Sequence, residues 1–112
     1  MDNGIGLNYR MRAFRLALGL SQEEVGELVG VSNVTISLYE RGLIDSEYSQ
    51  PISDALYAVK EKLVARYGYW YDDYIELETA MTEIRVWIEL EGHAPTDVIR
   101  RAKDMAVAFS NT

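Results

Sequence analysis

The chain of 112 residues contains no cysteine, two prolines and one histidine. Without cysteine there is neither a disulfide framework nor a thiolate metal site. His93 stands alone, whereas zinc needs three or four protein donors, so it reads as a turn or C-cap residue and no metal is expected. No run of about 18 apolar residues occurs, so no membrane span is expected. The N-terminus lacks a basic, apolar leader, and a cytoplasmic chain is the expectation. A glycine-rich phosphate loop, a His pair and a nucleophile motif are also missing, which argues against an enzyme and against a cofactor. Basic excess is missing too: 11 Lys and Arg stand against 18 Asp and Glu, a net charge of −7. Residues 1–50 carry four Arg against seven acids, and the rest carries seven bases against eleven acids. Phosphate neutralisation drives much of DNA affinity. A DNA binder of this composition would have to use a local face, backbone amides and dimer avidity.

What is present is concentrated between Ser21 and Gly42, SQEEVGELVGVSNVTISLYERG. Ser21 with Glu24 three residues on reads as a capping box. Val25, Leu28 and Val29 follow at helical spacing. Gly30 can take the left-handed conformation that ends a helix, Val31 plugs the turn, and Ser32 can cap a second helix. Ile36 and Tyr39 form that helix's buried stripe, and Gly42 stops it. Two short helices around a glycine turn make a helix-turn-helix pattern. Gly26 falls where the two helices cross, so their backbones can approach closely.

The residues Gly-Leu-Ser-Gln, Gly-Val-Ser, Thr-Ile-Ser and Tyr-Glu-Arg-Gly, all in register, resemble the phage-repressor (Xre/Cro-type) helix-turn-helix family. The likeness covers about residues 8–64. It implies a lambda-repressor-like fold, DNA binding and a recognition helix at about Ser32 to Arg41. The outward face of that helix reads Asn33, Val34, Ser37, Leu38 and Arg41, opposite Ile36 and Tyr39. Asn33 can bond adenine bidentately, Ser37 can bond several base edges, and Val34 can pack on a thymine methyl; Leu38 is a further candidate base contact, and a protein-binding patch is the alternative for Val34 and Leu38. The resemblance implies that Gln22 meets a phosphate at the start of the second helix, and that Arg15 pairs with Glu40; a free surface cation is the alternative for Arg15. Arg10, Arg12, Thr35, Arg41, Ser46 and Tyr48 are candidate backbone contacts. Three departures stand out. Leu38 and Val34 occupy commonly polar positions, Leu16 is apolar where the family is polar, and the loop 43–50 carries Asp45 and Glu47 where bases are common.

Outside that stretch, residues 1–7 read as a loose arm, with Asn8 capping a first helix whose Met11, Phe14 and Leu18 face inward. Pro51 opens a fourth helix with the stripe Ile52, Leu56, Val59, Leu63 and Val64 to about Tyr67. Tyr69 to Tyr74 reads as a packing hinge, with Asp72 or Asp73 capping a fifth helix. Trp70, Tyr74, Leu77, Met81, Ile84 and Ile88 recur at spacings of 4, 3, 4, 3 and 4, a heptad seam suited to a partner helix. The bland alternative is packing on helices four and six. Pro95 and Thr96 open a sixth helix with Val98, Ile99, Ala102, Met105, Ala106 and Phe109 on one face and Arg100, Arg101 and Lys103 on the other.

These readings predict an all-α fold of about six helices. Residues 1–7 form an arm, 8–67 a helix-turn-helix DNA-binding domain, and 68–112 a two-helix extension for dimerisation. The expected function is a homodimeric repressor on palindromic double-stranded DNA, open to a regulatory protein partner. The rival is a helix-turn-helix interaction factor of antirepressor, antitoxin-like or polymerase-binding type that does not read bases.

Overall fold

The computed structural model describes residues 3–44 and 46–111. It holds six α-helices: α1 (Asn3–Ala17), α2 (Gln22–Val29), α3 (Asn33–Glu40), α4 (Ser49–Tyr67), α5 (Trp70–Glu91) and α6 (Thr96–Ser110), with a 3-10 turn at Ser46–Tyr48. No strand occurs among the described residues. The all-α expectation therefore holds.

The caps of α2 and α3 form as their sequence dictates. Ser21 Oγ accepts from the Glu24 amide at 3.0 Å, and Glu24 Oε1 accepts from the Ser21 amide at 2.8 Å. Gly30 closes α2 at φ 87°, and Ser32 Oγ accepts from the Thr35 amide at 3.2 Å. Gly26 is needed for space rather than for conformation. A Cβ there would lie 2.6 Å from the Val31 carbonyl oxygen, inside the turn itself.

Several boundaries differ from the expectation. α1 begins at Asn3, so Asn8 is a buried residue within the helix and not its cap; Met1 and Asp2 lie outside the described residues. α4 begins at Ser49, which puts Pro51 third in the helix, still in the first turn where no amide partner is lost. α5 begins at Trp70, so neither Asp72 nor Asp73 caps it. Both sit in its first turn, where negative charge meets the positive helix end, and Asp72 reaches Lys60 Nζ at 2.8 Å.

One core gathers Phe14, Val25, Ile36, Tyr39, Ile52, Leu56 and Ile75. Met11 and Leu18 pack against it, as their spacing predicts. Leu28 does not join it: at 55% exposure it lies outside the α2 stripe. A second cluster joins Tyr9 and Ala13 of α1 to Val86 of α5, with Trp87 alongside. The rings of Tyr9 and Trp87 meet edge to face at 4.7 Å, and the Tyr9 hydroxyl donates to Glu91 at 2.7 Å. α5 is therefore built into the helix-turn-helix core through Ile75 and runs along α1.

The row Ile52, Leu56, Lys60 on α4 is buried at spacings of four, while Val59, Leu63 and Val64 are half-buried. On α6 only Val98 and Ala102 are fully covered; Met105 and Phe109 are half-buried and Ile99 and Ala106 exposed. The inward stripe of α6 is thus narrower than its apolar pattern.

Candidate nucleic-acid interface

α3 buries Ile36 and Tyr39 completely and turns its other face outward. Asn33, Val34 and Arg41 are exposed, and Ser37 and Leu38 are half-buried. Tyr39 is fixed from behind by its hydroxyl, 2.8 Å from Ser49 Oγ. Burial pushes its phenol up, Ser49 pulls it down, and the charge of Glu40 adds to the rise. The Thr35 hydroxyl stays at 3.1 Å from Ser32 Oγ, inside the cap.

Behind α3 lies a buried ionic hub. Arg15 donates from Nε to Glu40 Oε2 at 2.6 Å, from Nη2 to Oε1 at 3.1 Å, and from Nη1 to the Leu20 carbonyl at 2.7 Å. Arg15 is 5% exposed and Glu40 3%. The pair expected between α1 and α3 is therefore present. Two further donors share Oε1 of Glu40: Gln22 Nε2 at 3.0 Å and Arg12 Nη1 at 3.3 Å. A planar guanidinium matches a carboxylate bidentately, which is why Arg serves at such a site.

Geometry of this kind identifies the stretch. Residues 11–56 match the helix-turn-helix family. This segment is a helix-turn-helix domain of the Xre/Cro type. No curated protein and no solved structure matches the chain. A helix-turn-helix domain of this kind points to a DNA-binding regulator.

The helix-turn-helix brings Asn33, Val34, Ser37, Leu38 and Arg41 to one face. Its candidate phosphate contacts are less free than their sequence suggests. Gln22 and Arg12 are engaged with Glu40, and Arg12 also approaches Glu89 of α5 at 3.7 Å. Arg10 lies 3.6 Å from Glu83 of α5. All three α1 arginines thus face acids, two of them through α5. Tyr48 packs its ring against the core. Asp45 and the side chain of Ser46 lie outside the described residues.

Sequence reasoning missed the buried Lys60. Its Nζ meets Asp72 at 2.8 Å and Glu76 at 3.1 Å. Burial works against the ammonium, but hydrogen bonds and charge from both acids outweigh it, and the net shift is upward. The signal was available: a lysine continuing the Ile52, Leu56 row, with two acids four residues apart downstream. The second cluster was missed too. Burial and Glu91 together push the Tyr9 phenol up to about 12.

The seam of α5 faces away from all this. Trp70, Tyr74, Met81 and Ile88 are exposed, and Leu77 and Ile84 are half-buried. At about 100° per residue, Ile75, Thr82 and Val86 lie on the opposite side, and these are the buried ones. Neither α4 nor α6 covers Trp70, Tyr74, Met81 and Ile88, whereas Leu77 and Ile84 are half covered. Among the described residues no helix is long and apolar enough to cross a membrane.

Proposed function

We propose that the protein is a homodimeric, sequence-specific repressor that places α3 of each protomer against one half of a palindromic operator. The observation that carries this reading is the outward face of α3, Asn33, Val34, Ser37 and Leu38, held rigid by buried Ile36, Tyr39 and the Arg15–Glu40 pair. Such a face reads adenine edges and thymine methyls. Arg41, the α2 N-terminus and the loop after α3 supply the backbone contacts, with Gln22 and Arg12 exchanging Glu40 for phosphate. The exposed seam of α5 supports dimerisation, and two copies place two recognition helices about one helical turn apart. Avidity then offsets the modest charge of each protomer. A DNA target supports a cytoplasmic location.

The test is anisotropy titration of the full chain on a fragment spanning its own promoter, at several salt concentrations. Specific binding that weakens by a log–log slope of about −0.9 per phosphate neutralised is expected. Asn33→Ala with Ser37→Ala should cut discrimination between cognate and scrambled DNA by tenfold or more, since a good base contact contributes about 1–3 kcal/mol. Absence of a specific complex at low salt would overturn the reading.

A second reading has its own support. The arginines of α1 are held by acids, and Val34 and Leu43 are about 60% exposed at and beside the recognition helix. In that reading α3 receives an apolar protein surface, as an antirepressor or polymerase-binding factor would. It predicts binding to a protein target that is insensitive to Asn33→Ala and abolished by Val34→Asp, read by calorimetry.

A further inference from the structure

The charges along α5 say how a second copy would lie against it. α5 carries one base, Arg85, among many acids. Most of those acids are neutralised within the chain: Asp72 and Glu76 by Lys60, Glu83 by Arg10 and Arg101, and Glu89 by Arg12. Glu78 and Arg85 are different. They stand one heptad apart on the same flank of the exposed seam, and their contact within the helix is long, 3.9 Å, with the Arg85 side chain 67% exposed. Arg85 Nη2 also donates to Thr82 Oγ1 at 3.0 Å.

We propose that two copies pair through antiparallel α5 helices, with Glu78 of each opposite the partner's Arg85. The proposal rests on the dimer reading above and adds its geometry. A two-fold axis perpendicular to both helices brings like flanks together at mirrored heights. Placed between Met81 and Thr82, it sets Glu78 against the partner's Arg85 twice. The same axis sets Tyr74 within one residue of the partner's Ile88 and Leu77 within two of the partner's Ile84, with Met81 at the centre. Both the apolar seam and the charges are satisfied by one register. A parallel pair joins opposite flanks instead. The opposite flank offers Asp73 and Ala80 and no cation, so Glu78 would meet acid, which is unfavourable. The six seam residues span 18 positions, about 27 Å of helix, enough for several layers of knobs-into-holes contact.

The absence of native cysteine makes the test direct. Tyr74→Cys and Ile88→Cys variants of the full chain are oxidised separately and as an equimolar mixture. In the antiparallel pair Tyr74 lies about 20 Å along the axis from its own copy, so disulfide dimers form in the mixture and not in either variant alone. Cross-linking of Tyr74→Cys with itself, at the rate seen in the mixture, overturns the orientation while leaving a dimer in place. A wild type that sediments as a monomer at the same concentration overturns the dimer reading and this proposal together. Charge provides an independent arm. Glu78→Arg should raise the dimer dissociation constant about tenfold, from two lost pairs and two new repulsions. Glu78→Arg with Arg85→Glu should restore it. Failure of the double exchange to restore association counts against the pairing.

Discussion

Glu40 accepts four hydrogen bonds on its two oxygens, from Arg15, Arg12 and Gln22. Removing it leaves Arg15 buried without a counter-charge, and an uncompensated buried charge costs about 3–5 kcal/mol. Against a total stability of about 5–15 kcal/mol, Glu40→Ala should therefore remove a large share, seen as a much lower urea midpoint. Arg15→Ala combined with it should cost less than the sum, because the two act as one unit. Gly26→Ala sets two effects against each other. Alanine favours a helix interior by about 1 kcal/mol, but its Cβ would stand 2.6 Å from a backbone oxygen that no side-chain rotation can clear. Overpacking of that kind costs about 1–3 kcal/mol, so net destabilisation is expected in a thermal melt. The third consequence at this scale is alkaline. The folded pKa values of Tyr9 and Lys60 both lie above their unfolded values, which are about 10 and 10.4. Both contributions are complete below about pH 10; that of Tyr9 is lost as the pH rises towards 12, and that of Lys60 as the pH passes its own raised value. Urea unfolding at pH 8 and pH 11 should show that loss, and Tyr9→Phe should make it smaller.

The helices divide by how far their determinants lie along the chain. α2 and α3 were legible because each cap, turn glycine and buried position lies within a few residues of its partner. The Arg15–Glu40 pair was legible only through the family resemblance. α1 was not legible at its start: Gly4 and Gly6 each disfavour a helix by about 1 kcal/mol, and local propensity gave an arm where the fold gives helix. Leu28 was misassigned because its spacing fits the stripe, while α2 is covered only on the side of Val25 and Gly26. Which residues of α3 face outward could be read from helical periodicity. That the α1 arginines are held by Glu83 and Glu89 could not be, since those partners are some seventy residues distant. α5 is the helix with two occupied sides and one vacant one. Ile88 is 52% exposed, so Ile88→Asp should spare the fold and abolish association. Light scattering should report a monomer mass with an unchanged circular dichroism spectrum.

At the scale of the whole molecule, the expected boundary near residue 68 does not divide the core. Ile75 completes the cluster built by α1 to α4, and Val86 covers Tyr9 and Ala13. A chain ending at Gly68 would expose these surfaces and leave Lys60 without its two acids. Each fully buried side chain of this size contributes about 1.5–3 kcal/mol. The truncated chain should therefore lose cooperative thermal unfolding and bind a hydrophobic dye, whereas the full chain should melt in a single transition. The same dependence bears on how the protein is made. The helix-turn-helix segment ends at residue 56, yet its lid arrives with Ile75 and the cover of α1 with Val86. On the ribosome, the nascent helix-turn-helix segment must wait for the following thirty or so residues, a few seconds of translation at about 5–20 residues per second. An incomplete chain released during that interval would carry a helix-turn-helix without the core that holds it in place.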